Sequence, residues 1–196
     1  MKRIVLIIIG ICLLFSSCRE EHISTINTLV KDLFCFKAGS EWTYYDSVSQ
    51  KTQKMAVTNY EILKFAPMPK GGRKAYDFAE YIKIKGHFLT NFEVRIISQG
   101  EEIDYDNTAD FRGSYSTNLP LRFTCDQNNN FNCPVTYLAE YDVDGIVYKD
   151  VYIFNMNELS YSNENLLFYV AKNIGLIRMM KVDEFDWVLT DKNIQQ

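Results

Sequence analysis

Residues 134–154 read PVTYLAEYDVDGIVYKDVYIF, and this stretch decides the fold class. Val135, Tyr137, Ala139, Tyr141 and Val143 occupy alternate positions, the period that places every second side chain on one face of a strand. Asp144 and Gly145 follow, two residues that tolerate the left-handed backbone a two-residue hairpin turn requires. Residues 146–154 then form the returning strand, so the stretch predicts an antiparallel pair.

Working outward, LLFYVAKNIGLIRMMKV (166–182) predicts a second hairpin turning near residues 172–175, and FDWVLT (185–190) a last strand. Upstream, KAYDFAEYIKIKG (74–86) sets Tyr76, Phe78, Ile82 and Ile84 on one face and Asp77, Lys83 and Lys85 on the other, with Glu80 breaking the apolar row. HFLTNFEVRIIS (87–98) follows across Gly86 with Phe88, Phe92, Val94 and Ile96 in register. EWTYYDSV (41–48), opened by a turn at 38–40, and KMAVTNYEILKF (54–65), closed by the Pro- and Gly-bearing 66–72, add two more strands. NTADFRGSYSTNLP (107–120) reads as a loop-rich middle. The one weak helical period lies over residues 23–33. The fold class is therefore mainly β, an antiparallel meander forming a curved sheet, sandwich or half-barrel with at most a short N-terminal helix.

The 196 residues include 13 Tyr and 13 Phe, which favour a half-buried pleated surface. They carry 21 Lys plus Arg against 25 Asp plus Glu, and no basic run exceeds KGGRK at 70–74. No extended positive stripe is visible in the linear sequence, so nucleic acid is not an expected partner, nor is a second contact with an anionic membrane.

The chain begins MKRIVLIIIGICLLFSSCREE. Lys2 and Arg3, an apolar run over 4–15 and small residues at 16–18 have the layout of a secretory signal. Twelve apolar residues reach only about 18 Å as a helix, short of a hydrocarbon core about 30 Å thick. An ordinary signal with an incidental cysteine is the plainer alternative. LFSSC resembles the lipobox of bacterial lipoproteins, with Leu14, Ser16, Ser17 and Cys18 matching. That resemblance implies diacylation of Cys18 and cleavage before it, hence anchoring through acyl chains. Arg19, Glu20 and Glu21 are similar to the export signal that takes lipoproteins of Bacteroidota-type bacteria to the cell surface. FKAGSEWTYY (36–45) and FYVAKNIGLIR (168–178) also resemble segments of uncharacterised lipoproteins of such bacteria, and Asp46, Ser47 and Val48 resemble their O-glycosylation motif. The expected organisation is a signal peptide over 1–17, a lipidated tether over 18–33 and one β-rich domain over 34–196. The expected location is the outer membrane, on its periplasmic side or at the cell surface.

Of five cysteines, Cys12 lies in the signal and Cys18 takes lipid, leaving Cys35, Cys125 and Cys133. Cys125 and Cys133 bracket the polar DQNNNFN, so a disulfide between them is expected to stabilise by about 2 to 3 kcal/mol, with Cys35 a buried thiol. The other two pairings remain possible. These thiols lack a CxxC pair and nearby histidine, so no zinc is expected. Glu140, Asp142, Asp144 and Gly145 match positions 1, 3, 5 and 6 of a calcium loop, but position 12 falls on Val151, with Asp150 one residue early. The Asp-Gly hairpin turn is the simpler reading.

His22 and His87 are the only histidines, and no nucleophile elbow, HExxH or phosphate-binding loop is present; Gly71 and Gly72 beside Arg73 and Lys74 read as a turn. Asp104, Asp106 and Asp110 read as a solvated loop. The expected function is a non-catalytic binding or interaction module of the cell envelope, anchored through lipid on Cys18 and without a cofactor. Its expected partner is an envelope protein, glycan or lipid. The alternatives are a carrier of an apolar ligand in the curved sheet and a carboxylate-based hydrolase.

Overall fold

Strand after strand in this chain carries apolar residues on one pleat face, and such faces must be covered. The computed structural model describes residues 23–65, 78–88, 90–99, 108–109, 111–114, 120–123, 125, 129–131, 134–155 and 166–195. Its strands are β1 (Ile23–Ser24), β2 (Glu41–Asp46), β3 (Lys51–Phe65), β4 (Phe78–Phe88), β5 (Thr90–Gln99), β6 (Thr108–Ala109), β7 (Phe111–Ser114) and β8 (Pro120–Phe123). They continue as β9 (Val135–Val143), β10 (Ile146–Asn155), β11 (Leu166–Ala171), β12 (Gly175–Lys181) and β13 (Phe185–Asn193). One helix, α1 (Thr28–Phe34), precedes β2. The fold is mainly β, a curled half-barrel sheet with one short helix, as the sequence predicts.

The sheet runs β8-β7-β5-β4-β3-β2-β13-β12-β11-β10-β9. The chain thus starts at the centre, meanders to one edge, crosses to the other and returns to lie antiparallel beside its own first long strand. In that seam Tyr44 faces Leu189 and Tyr45 faces Val188. The curl appears in the ring contacts: Phe88 of β4 reaches Tyr44 of β2 (centroids 5.2 Å apart) and Trp187 of β13 (5.8 Å).

Two buried side chains of β2 reach past β13. Trp42 Nε1 donates to the Ile174 carbonyl at 2.6 Å, and the Tyr44 hydroxyl donates to the Leu176 carbonyl at 2.8 Å. Both rings are buried, and burying them without partners for their polar tips would be costly. Buried Ser40 adds a clasp, accepting from the Gln195 amide and donating to the Gln195 carbonyl (3.0 and 3.2 Å). Residues 36–45 and 168–178 are thus tied together across this seam.

Helix α1 starts where Asn27 Oδ1 accepts the Leu29 amide (2.7 Å) and buries Leu29, Val30 and Leu33. Glu80, the residue that interrupts the apolar row of β4, explains its docking. Its carboxylate accepts the Ile26 amide and Lys31 Nζ, both at 2.8 Å. β1 also pairs in parallel with β4, so the packed body includes residues 23–33 and begins earlier than the sequence places it. Three further readings shift. Gly86 pairs with Val57 and Phe92 inside β4 and β5, and the chain reverses between Phe88 and Thr90. His87 accordingly lies on a strand. The loop-rich middle contributes the short strands β6, β7 and β8.

At Gly175 φ is +87°, and a Cβ there would lie 2.9 Å from Phe36 Cε2. At Gly145 φ is +83° with no neighbour within 4 Å. Gly145→Ala is expected to cost about 1 kcal/mol, the left-handed backbone alone, and Gly175→Ala clearly more, because the Phe36 ring must also move. Urea unfolding of both variants measures the difference.

Candidate functional site

The Asp144-Gly145 turn fixes the register of β9 on β10: Val143 faces Ile146, and Tyr137 consequently faces Tyr152. Their rings lie 5.2 Å apart, tilted by 55°. Tyr137 is 51% exposed and Tyr152 half-buried. Beneath them the aromatic contacts continue inward through Phe131, which meets Tyr152 at 6.4 Å and Phe154 at 5.1 Å, to Phe34 of α1, 5.6 Å from Phe154. A tyrosine that would otherwise project alone is thus backed by packed rings down to the core.

Asp150 borders this face in an unusual way. It sits within β10 at φ +51°, a left-handed conformation outside any turn. Its carbonyl accepts the Lys172 amide (3.1 Å) and its carboxylate accepts the Tyr137 hydroxyl (2.7 Å). Lys172 Nζ pairs with Asp32 of α1 at 3.3 Å, and Asn27 Nδ2 donates to Asn129 Oδ1 at 3.1 Å nearer the helix start. The hydrogen bond to Asp150 raises the Tyr137 phenol above its ordinary value, with burial and the carboxylate charge adding to it. Burial, then the Asp150 charge, raises Tyr152. Both phenols stay protonated at neutral pH and act as neutral hydrogen-bonding groups.

A second polar cluster is saturated. Arg178 donates through Nε and Nη2 to both Asp186 oxygens (2.7 Å each) and through Nη1 to the Tyr141 hydroxyl (2.8 Å), with its guanidinium 5.6 Å from the Tyr169 ring centre. Tyr141 and Tyr169 stack at 5.0 Å. The Asp186 amide donates to Asp46 Oδ1 at 2.8 Å. Asp46 is buried and also accepts from the Val48 and Ser49 amides and the Ser49 hydroxyl. Burial by itself would raise its carboxyl, but these hydrogen bonds outweigh it and hold the group below the usual carboxylate value. This cluster braces the β2–β3 turn against β13.

Cys35 is a free thiol pushed up to about 12, by burial foremost and by Glu80 and Asp32 against the lowering effect of Lys31, so it remains protonated and unreactive. Cys125 is buried and bridges to Phe131, while Cys133, its expected disulfide partner, lies outside the described residues. So do Cys18, His22, the 70–74 run, Asp104, Asp106 and Asp110. Glu140 faces Lys149 across the β9–β10 ladder, and Asp142 Oδ1 accepts the Gly145 amide (3.0 Å), closing the hairpin turn that the sequence indicates. Among the described residues no three His, Cys, Asp or Glu side chains gather in a group that could hold a metal. His87 is exposed on β4. In the Asp46-Ser47-Val48 triplet, the aspartate is buried in the turn brace while Ser47 is exposed.

Sequence reasoning passed over the Tyr137–Tyr152 face. A signal existed, since the two tyrosines are equidistant from the Asp-Gly turn and must face each other in a two-residue hairpin. The left-handed Asp150 had none. No protein-family model, no curated protein and no solved structure matches this chain.

Because the Asp46 carboxyl is depressed, its contribution to stability is complete above the unfolded value of about 3.9 and is lost as pH falls through the folded value. Asp46→Asn is expected to cost about 2 to 3 kcal/mol at neutral pH, and the gap from wild type to narrow below about pH 4. Chemical unfolding over a pH series tests this.

Proposed function

We propose that this chain is a lipid-anchored protein of the bacterial cell envelope whose β body is a non-catalytic binding module, with Tyr137 and Tyr152 presenting its ligand face. The observation carrying the binding reading is the solvent-facing Tyr137 ring, supported from behind by packed rings and fixed at its hydroxyl by Asp150. Two tilted rings offer an apolar surface to a ligand with an apolar face, and Asp150 and Lys172 set a hydrogen-bond acceptor and donor beside it. A saccharide ring has that pairing, with C–H groups on its faces and hydroxyls around its rim. The left-handed Asp150 fits a site held in place at some cost to the backbone.

The alternatives gain less support. A carrier of apolar ligands needs room inside the curl, which Trp42, Tyr44, Phe88, Phe154 and Leu33 fill. A hydrolase needs converging acids, whereas the carboxylates of Asp46, Glu80 and Asp186 each serve a structural partner. For the anchor the support is the sequence LFSSC followed directly by charge.

Purified envelope polysaccharides, immobilised and probed with the intact protein, test the site. Tyr137→Ala with Tyr152→Ala is expected to weaken binding about tenfold or more, a loss of roughly 1.4 kcal/mol. Asp150→Gly should stay within about 1 kcal/mol of wild-type stability, since glycine accepts the left-handed backbone, yet weaken binding as well. Unchanged binding in both variants contradicts the assignment. For the anchor, radioactive palmitate supplied to the producing cells should label wild type and leave Cys18→Ala unlabelled.

A further inference from the structure

The charges around the Tyr137 face do not cancel. Asp150 Oδ1 accepts the Tyr137 hydroxyl at 2.7 Å, a neutral donor, and among the described residues no ion pair and no second hydrogen bond reaches the Asp150 carboxylate. Lys172, whose amide binds the Asp150 carbonyl, spends its ammonium on Asp32 of α1 at 3.3 Å. The adjoining ladder pair, Glu140 with Lys149, carries one charge of each sign. The surplus beside the tyrosines is therefore the negative charge of Asp150. The Tyr152 phenol registers the same balance: burial raises it most, and of the two charges that follow, Asp150 raises it more than Lys172 lowers it.

The rings add to that preference. An aromatic ring is negative over its face, and a phenol that donates to a carboxylate gains electron density. Tyr137 does so and stays 51% exposed with Tyr152 packed 5.2 Å away. An electron-rich, open ring beside a carboxylate without an ion pair attracts cations. We infer that the saccharide proposed for this face carries a protonated amine, as an unacetylated amino sugar does, with its ammonium over the Tyr137 ring and against Asp150. The inference rests on the reading of Tyr137 and Tyr152 as the ligand face and narrows that reading to one substrate class. An amino sugar keeps the C–H faces that suit the tilted rings and exchanges one rim hydroxyl for the cation. An acidic saccharide meets repulsion here, and a neutral one leaves the Asp150 charge without its complement.

Hexamers of glucosamine and of N-acetylglucosamine differ in whether that amine is free, and calorimetric titration of the intact protein with each provides the test. The glucosamine hexamer should bind at least about fivefold more tightly, with the ratio shrinking at high salt. Asp150→Asn suits the left-handed backbone and keeps an oxygen for the Tyr137 hydroxyl, so it removes the charge and should bring the ratio close to one. Lys172→Gln should raise the ratio, because the Asp32 charge then adds to that of Asp150. Equal binding of the two hexamers by wild type, or weaker binding of the glucosamine form, overturns the cationic ligand and leaves the tyrosines as a site for neutral saccharides. A preference that survives Asp150→Asn also overturns it, in favour of general attraction to an acidic chain of net charge −4. Binding of neither hexamer overturns it too, while the polysaccharide assay on the Tyr137 and Tyr152 variants reads the ligand face independently.

Discussion

The pairing of β2 with β13 is the constraint on which the rest of this structure depends. Each half of the sheet is a meander of locally paired strands, and local pairing alone would leave two separate curved ribbons. The seam unites them, and its bonds join residues far apart in the chain: Trp42 and Tyr44 each reach a carbonyl 132 positions away. Closing so long a loop costs entropy before any contact compensates. The compensation is concentrated there, in two buried aromatic rings with satisfied polar tips, the Ser40 clasp and the Phe36 ring lying on Gly175.

Other features follow from keeping that seam dry and fixed. Helix α1 packs against β12, its Asp32 carbonyl accepting the Asn173 amide at 2.8 Å, and Glu80 holds the helix by a charge-assisted bond to its approach segment and an ion pair with Lys31. At the end of the β2–β3 hairpin, Asp46 gathers amides from its own turn and one from β13, so one buried carboxylate serves the turn and the seam together. Arg178 carries the brace onward to β12, and through Tyr141 to β9. These charged groups are spent on architecture, which is why the solvent-facing Tyr137 stands out as a feature the fold does not itself require.

Much of the fold was legible in the residues because strand alternation and the Asp-Gly turn are local signals. β9, β10 and the hairpin of β11 with β12 follow from them directly. What was hidden is non-local. Glu80 looked like a flaw in an apolar row because its partners, Ile26 and Lys31, lie about fifty residues upstream. Gly86 looked like a turn because glycine usually breaks strands, whereas here it pairs on both sides. The tyrosine pair was recoverable from hairpin register, but not the left-handed Asp150 that fixes it.

Native-state hydrogen exchange tests the central role of the seam most directly. Amides of Trp42 to Tyr45 and Trp187 to Leu189 should exchange only through global unfolding, with free energies equal to the whole stability of the domain, while the outer strands β7, β8 and β9 open at lower cost. Seam amides that exchange through local opening, faster than those of the β9–β10 hairpin, would contradict the account.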